Sequence, residues 1–400
     1  MSYLKEILPK ILRYKLSRWH LAAPGLPINL TFSVTNVCQS RCKTCSIWKL
    51  YREQPEKRAE ELSLEEIEAI FRSMGHIYVF NVSGGEPFLR TDLKEIIALA
   101  CRHLSPGIVH IPTNAIAEAA VEKGVLAILD DLQRHSPRTQ LTVKPSLDHI
   151  GEKHDAIRGV PGNFTKVIRL YRKLKALQPQ YPNFHVELGT VISRWNVDEV
   201  AEIAAFVSDL GADSYRNEIA EQRAEMFNQK DPITPEAEHY EKAISQFVGP
   251  IRQSMKAKNG FQRITNAFRL IYYDLAVRIL KEERQVIPCY AGISNAHMTP
   301  YGDIWACCTL GYDRPMGNLR DFGYDFKSLW NSSQAKTVRK FIRNRNCCCP
   351  LANQTYSNML LHTPSLMRVG REMLAAGFLR NRTADRLDSG KNDVHEAIKN

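Results

Sequence analysis

Three cysteines, Cys38, Cys42 and Cys45, fall in the stretch SVTNVCQSRCKTCSIWKL, with gaps of three and then two residues. Thiolates are the usual ligands of zinc and of iron–sulfur clusters, and both normally take four ligands. A local set of three therefore allows two chemistries. A zinc ion would need a distant histidine or cysteine to complete it. A cubane cluster on three thiolates would leave one iron open to a small molecule, as a catalytic metal requires. The other cysteines form a second set, Cys289, Cys307, Cys308, Cys347, Cys348 and Cys349, and only Cys101 stands alone. The N-terminus lacks the uninterrupted apolar core of a secretory signal, so a cytoplasmic chain with reduced thiols is expected. Clustered cysteines in that setting favour metal over disulfides.

Composition narrows the remaining classes. The 400 residues carry 54 Lys+Arg against 43 Asp+Glu, a net charge of +11, and 44% are hydrophobic, which suits a packed fold rather than a disordered chain. No apolar run reaches the roughly 18 residues of a membrane span. In residues 1–20, Lys5, Lys10, Arg13, Lys15 and Arg18 stand against Glu6 alone, while Leu4, Ile7, Leu8, Ile11, Leu12, Leu16 and Trp19 recur at helical spacing. Such a helix either lies peripherally on the anionic inner face of a membrane or packs on the protein with its basic face in water. Pro9 makes it begin or kink there. A second basic amphipathic stretch covers 363–380, and a polar tail follows. Neither a basic–aromatic groove pattern nor a helix-turn-helix signal is present, so no nucleic-acid partner is expected. A non-enzymatic zinc or nucleic-acid-binding module is kept as the remote alternative.

The elements that must position the cysteines alternate. Apolar–polar patterning predicts strands at 28–35, 76–83, 107–113, 139–148, 183–193 and 212–219. Helices are predicted between them: one opened by a Ser63–Glu66 capping box, one from Thr91 or Asp92 to about His103, one at about 116–134, one from Asn163 to near Gln178, and one from Asn196 to about Leu210. Residues 51–61 read as a solvated loop. Six strand–helix repeats predict a parallel sheet with crossover helices, whose sites gather at the C-terminal strand ends. The cysteine loop follows the first strand and SGGEP the second, so both fall on one rim. Residues 220–285 are helical and charged, and the chain from Pro288 to about Tyr356 is rich in cysteine, glycine and aromatics. The expected units are a basic amphipathic N-terminal helix at 1–24, a core at 25–220, a helical bridge at 221–285, a cysteine-rich domain at 286–356, and a C-terminal amphipathic helix and tail at 357–400.

The Cx3Cx2C loop after strand one, followed by SGGEP after strand two, resembles the radical S-adenosylmethionine (radical SAM) superfamily over roughly residues 25–220. That resemblance implies a partial (β/α)6 TIM-like barrel. It also implies that Cys38, Cys42 and Cys45 hold three irons of a [4Fe-4S] cluster, with S-adenosylmethionine on the fourth. Gly84, Gly85, Glu86 and Pro87 match the family's methionine-binding segment, where glycines let the backbone approach closely. Ser146 matches a ribose-contacting position, Asn114 resembles a strand-three TNG motif, Thr190 lies where adenine packs, and Arg158 falls in the similar stretch IRGVPGNFTKV. Thr44 departs from the bulky residue usual before the third cysteine, with Ile47 and Trp48 as substitutes. The implied chemistry is reductive cleavage of S-adenosylmethionine to a 5'-deoxyadenosyl radical that abstracts hydrogen from an unactivated C–H. A flavodoxin or ferredoxin would be the reducing partner.

Cys289, twelve residues, Gly302, four residues and Cys307 look like the opening of a SPASM/twitch extension. The resemblance implies an auxiliary [4Fe-4S] cluster on Cys289 and Cys307, completed from the triplet 347–349. Neighbouring residues in an extended segment point apart, so Cys347 and Cys349 are preferred, with Cys308 and Cys348 as spares. A structural zinc site is the alternative for this set. The substrate is open. The basic terminal segments suggest a membrane-proximal or lipid-linked one; a peptide-modifying maturase of the ribosomal-peptide type is the rival. The first 25 residues show no recognisable partner-binding domain, which leans against that rival. Catalytic groups are unknown, with Cys101, Tyr215, Arg216 and Glu218 as candidates for handling the substrate radical.

Overall fold

Residue alternation decides which way each strand faces. In the computed structural model, which describes residues 2–19, 21–257 and 260–375, four strands come first: β1 (Asn29–Ser33), β2 (Val79–Ser83), β3 (Ile108–Thr113) and β4 (Gln140–Pro145). Leu30, Phe32, Phe80, Val82, Val109, Ile111, Leu141 and Val143 from these strands are buried in one core with the apolar faces of the crossover helices. The residues between them, including Ser33, His110 and Lys144, occupy the opposite, inner face. The strands pair in parallel, with Leu30 beside Phe80 and Phe80 beside Val109.

The fifth predicted strand is broken. β5 (Phe184–Val186) pairs with β4, while β6 (Leu188–Ile192) pairs with β7 (Tyr215–Ile219) and touches β4 through a Ser146–Gly189 bridge. Glu187 sits at the break. Its buried carboxylate accepts from Ser214 Oγ at 2.7 Å and pairs with Arg216 at 3.2 Å. A charged group there needs those partners more than it needs regular strand geometry.

The cysteine-rich segment is not a separate layer. β8 (Asn295–Met298) adds in parallel to β1, with His297 beside Thr31, and β9 (Asp303–Trp305) and β10 (Gly317–Asn318) follow antiparallel. The sheet order is therefore β10-β9-β8-β1-β2-β3-β4-β5. The expected boundary at residue 286 divides the sequence but not the sheet. The predicted bridge folds as two long helices, Ala237–Ala257 and Gly260–Glu282, which form a second core with Ala352–Leu361 around Tyr240, Tyr272 and Tyr273.

Several local expectations change for electrostatic reasons. The Ser63–Glu66 capping box forms, with bonds of 2.9 and 3.3 Å. Asp92 precedes its helix but spends its carboxylate on Arg90 at 2.5 Å, an ion pair outcompeting a neutral cap. Asn163 begins a helix without capping it, because Asp155 takes the N–H groups of Gly162 and Phe164 at 2.5 and 2.7 Å. Residues 51–61 are not a plain solvated loop. Short helical turns at Leu50–Glu53 and Pro55–Glu60 bring Glu61 inward to accept from Thr35 Oγ1 and Tyr51 OH at 2.6 Å and Asn36 N at 3.1 Å.

The N-terminal helix runs Ser2–Arg18 with Pro9 inside it. Tyr14, Ser17 and Arg18 pack on the protein, whereas Leu12 and Trp19 stay 63% and 68% exposed. Residues 363–375 are helical; the rest of the predicted amphipathic stretch and the polar tail lie outside the described residues. No described helix is long and apolar enough to cross a membrane.

Phe71 anchors the outer core, edge-on to Phe32 at 6.2 Å and to Phe80 at 5.7 Å. Phe71→Ala should lower unfolding free energy by about 3–5 kcal/mol in urea titrations. A loss under about 1 kcal/mol would mean that this face is not the core.

Candidate active site

Two loops meet at the C-terminal ends of β1 and β2. Gly85 N donates to Thr35 O at 2.7 Å and Glu86 N to Val37 O at 2.8 Å, so the backbone of the SGGEP loop lies directly on the chain leading to Cys38. A Cβ on Gly84 would stand 2.1 Å from Thr35 O, and one on Gly85 2.2 Å from Val37 O; Gly84 also has φ +114. Only glycine permits this contact.

The loop from Cys38 to Cys45 is held from its other side by the end of the helix Gly151–Arg158. Arg41 N donates to Arg158 O at 3.0 Å, Lys43 N to Ile157 O at 2.9 Å, and Ser40 Oγ to Arg158 O at 3.1 Å. The Arg158 guanidinium pairs with Asp148 at 2.8 Å and reaches Cys42 Sγ at 3.6 Å, where Ser40 Oγ also lies, at 3.0 Å. Asn114 Nδ2 is 3.7 Å from Cys38 Sγ. The loop thus brings the three thiols into one electrostatic neighbourhood. Burial raises Cys38 to about 12, with the charges of Cys42 and Glu86 adding and Arg158 opposing. Burial also raises Cys45, and Cys42, Cys38 and Glu225 raise it further. Thiols that resist ionisation alone, crowded together beside a buried guanidinium, fit a cationic iron–sulfur cluster, which takes them as thiolates.

Glu86 is buried. It accepts from Thr113 Oγ1 at 2.9 Å, Asn114 N at 2.7 Å and Phe88 N at 3.3 Å, yet burial still raises its carboxyl to about 7. A cationic ammonium beside it would return it to the charged form. Pro87 is buried in the turn that follows. Asn114 is oriented by Asn163 Nδ2, which donates to its carbonyl at 2.9 Å. Asn163 Oδ1 faces His154 Nε2 at 3.0 Å, and His154 Nδ1 accepts from Asp148 N at 3.1 Å. Burial keeps His154 neutral, lowered to about 4, and the two bonds assign its proton to Nε2. Asp148 and His154 are not among the residues expected at the site, and Asn163 is expected only to open a helix, although Asp148 closes the fourth predicted strand and Asn163 lies inside IRGVPGNFTKV. Their role is visible only as a chain of contacts closing from Cys38 round to Cys42.

The other expected positions distribute unevenly. Ser146 sits at the end of β4, its N–H donating to Thr113 O at 3.0 Å. Thr190 is nearby but its hydroxyl is engaged, by Leu147 O at 2.5 Å and Tyr215 OH at 2.8 Å. Arg216 and Glu218 are on the inner face, paired with Glu187 and Lys144 at 3.2 Å each. Cys101 is not at the site: it is buried on the outer helix Leu93–Leu104, within the apolar core.

The second cysteine set occupies the extension. Burial raises Cys307 strongly, and the charges of Cys349, Cys289 and Cys347 raise it further. Gln285 Nε2 donates to Cys347 O at 2.9 Å. Cys348 is exposed, and Cys308 faces Arg223 and Glu225 instead.

A parallel β/α core with a three-cysteine loop and a glycine–glutamate loop on one rim, extended by a cysteine-rich hairpin, defines an iron–sulfur enzyme built to bind a small cofactor. Comparison with known families agrees. Residues 32–207 match the radical SAM superfamily model and residues 289–350 match SPASM, an iron-sulfur cluster-binding domain. The chain belongs to the radical SAM enzymes that carry a SPASM domain, and these domains imply [4Fe-4S] clusters and S-adenosylmethionine as cofactors.

The chain is 22% identical over 310 residues to the antilisterial bacteriocin subtilosin biosynthesis protein AlbA of Bacillus subtilis, covering 77% of this chain and 60% of AlbA. It is 25% identical over 336 residues to the AdoMet-dependent heme synthase of Oleidesulfovibrio alaskensis, covering 76% and 74%. The fold resembles the crystal structure of Streptococcus suis SuiB bound to precursor peptide SuiA, with a TM-score of 0.55 and 15% identity over 87% of this chain and 76% of that one. The chain spans less than two thirds of AlbA and less than half of several other curated maturases that it matches.

The Glu86 environment makes a pH prediction. A carboxyl near 7 in the folded apoprotein and 4.5 otherwise holds its proton more tightly when folded. Its stabilising contribution is complete below about 4.5 and is lost as pH rises to about 7, on the order of 3 kcal/mol. Urea midpoints of wild type and Glu86→Gln should diverge across that window, with the steeper fall in wild type. Parallel curves would contradict the buried, raised carboxyl.

Proposed function

We propose that this chain cleaves S-adenosylmethionine reductively and uses the radical to abstract hydrogen from an unactivated C–H bond of a peptide substrate. The observation that carries this reading is the meeting of Cys38, Cys42 and Cys45 with the Gly84–Glu86 loop on one rim, bound together by backbone hydrogen bonds. In this reading the three thiolates hold a [4Fe-4S] cluster and Arg158 offsets part of their charge. Glu86 takes the cofactor's ammonium, and the bare backbone at Gly84 and Gly85 admits its methionine end. Asn114 and Ser146 face the ribose side, and Thr190 helps shape the adenine side. When bound, the cluster and cofactor supply a 5'-deoxyadenosyl radical, given one electron from a flavodoxin- or ferredoxin-type protein. Cys289, Cys307, Cys347 and Cys349 hold a closed auxiliary cluster for electron transfer or structure.

The peptide reading replaces the lipid-linked substrate favoured by the terminal segments. Relatives named for bacteriocin maturation and a similar fold bound to a precursor peptide support it. So does the inner face: Lys144, Glu187, Arg216 and Glu218 line it, and His110 Nε2 is buried there without a hydrogen-bond partner among the described residues. A lipid chain would lie against these ion pairs and leave His110 Nε2 unpartnered, whereas a peptide can hydrogen-bond to both.

Anaerobic reconstitution should load about eight irons per chain, falling to about four in Cys38→Ala/Cys42→Ala/Cys45→Ala, with dithionite-dependent 5'-deoxyadenosine lost. A peptide library should raise deoxyadenosine output several-fold over the uncoupled rate. Stimulation by extracted lipid alone would sink the peptide reading, and zinc in place of iron would sink the radical one.

Membrane contact is a second, compatible proposal. Leu12, Leu16, Trp19 and Leu21 are exposed on and just after the N-terminal helix, beside Arg13 and Lys15. Full-length protein should float with vesicles containing anionic phosphatidylserine, and Leu12→Glu/Trp19→Glu should cut the bound fraction several-fold. Equal flotation of both proteins would dismiss this contact.

A further inference from the structure

The inner face carries a polar cluster that the cofactor reading does not use. Glu225 in the turn Ala224–Met226, His297 on β8 and Cys308 just past β9 are all buried. Their carboxylate oxygen, imidazole nitrogen and thiol lie within 4.8 Å of one another. Ser33 at the end of β1 joins them. Its hydroxyl donates to Glu225 Oε1 at 3.0 Å and lies 2.9 Å from His297 Nε2, which is 3.4 Å from the same carboxylate oxygen.

These separations have a specific geometry. A cation with bonds of about 2.0–2.1 Å to nitrogen and oxygen has tetrahedral edges of about 3.3 Å. The three distances among Ser33, Glu225 and His297 bracket that value. A zinc–sulfur bond of about 2.3 Å sets an edge near 3.6 Å, so the Cys308 thiol, within 4.8 Å of the other two donors, would need to close by at most about 1 Å.

We propose that Glu225, His297, Cys308 and Ser33 form a zinc site separate from the cluster ligands Cys38, Cys42 and Cys45 and from Cys289, Cys307, Cys347 and Cys349. Charge supports a divalent cation, because carboxylate and thiolate together supply two negative charges in a place water does not reach. Arg223, the guanidinium that Cys308 faces, is shared with Glu221 at 3.2 Å, so it offsets only part of that negative charge. Mixed nitrogen, oxygen and sulfur donors suit zinc and disfavour magnesium or calcium, which take oxygen alone. Trp305 packs over the His297 ring, centroids 5.1 Å apart, and fixes its direction. Cys307 has Cys349, Cys289 and Cys347 as charge partners while Cys308 has Arg223 and Glu225, so the second thiol can serve this site without competing for the auxiliary cluster. The ion would join β1, the segment after β7 and the cysteine-rich hairpin, and its role would be to clamp the hairpin to the core. The proposal rests on these four residues and not on the radical reading.

The test uses full-length protein with its clusters loaded anaerobically, incubated with one equivalent of zinc sulfate and desalted. Metal analysis should find about one zinc per chain. Zinc-edge absorption should show one sulfur at about 2.3 Å with the other ligands at about 2.0 Å. His297→Ala and Cys308→Ser should each retain at least tenfold less zinc with iron and sulfide unchanged. The near-isosteric Glu225→Gln, chosen to preserve the fold, should also weaken retention. Absence of zinc, zinc retained in all three variants, or a four-sulfur shell would overturn the proposal.

Discussion

The site depends on a backbone contact rather than a side chain. Two hydrogen bonds, from Gly85 N to Thr35 O and from Glu86 N to Val37 O, lay the second loop against the first. Added Cβ atoms would sit just over 2 Å from carbonyl oxygens, so neither glycine can be replaced without parting the loops. Because β1 and β2 are in parallel register, Ser33 beside Ser83, both loops leave the sheet at the same height. The cysteines and the glutamate are thereby brought together without either loop carrying much structure of its own.

Around that contact the protein buries charge in a closed arrangement. Arg158 balances Asp148 and faces Cys42, Asp148 takes the N–H of Val191 at 2.9 Å, and neutral His154 links Asp148 to Asn163 and so to Asn114. Each polar group is costly to bury alone and acceptable as a member of the chain. The same holds on the inner face, where Lys144 and Arg216 are matched by Glu218 and Glu187. Only the outer face of the strands is apolar, so packing energy comes from one side and chemistry is left to the other.

The cysteine-rich region shares this plan because β8 continues the sheet beyond β1. His297 therefore projects from the same face as Ser33, and the hairpin delivers Cys307 to one set of groups and Cys308 to another. The core and the extension meet through paired strands and buried polar side chains, a tighter junction than a linker between two domains.

Much of this was legible in the sequence. Period-two alternation marked the strands, and loop position after strands one and two placed the cysteines and the glycine–glutamate motif on one rim. Cysteine clustering set two groups apart in the sequence, and the extended triplet 347–349 gave a reason to prefer Cys347 and Cys349. Local pattern could not reveal partners distant along the chain. The break at Glu187 depends on Arg216, the inward turn of Glu61 on Thr35 and Tyr51, and the burial of Cys101 on an outer helix rather than at the site. The pairing of β8 with β1, and with it the meeting of Ser33, Glu225, His297 and Cys308, joins segments up to 275 residues apart in the numbering. Sequence alone determined where the main strands and helices lie and which element the cysteine and glycine–glutamate loops follow, because those are short-range consequences of periodicity and spacing. Tertiary structure alone decided which of them meet, because buried charges take whichever partner the packed sheet brings within a few ångströms.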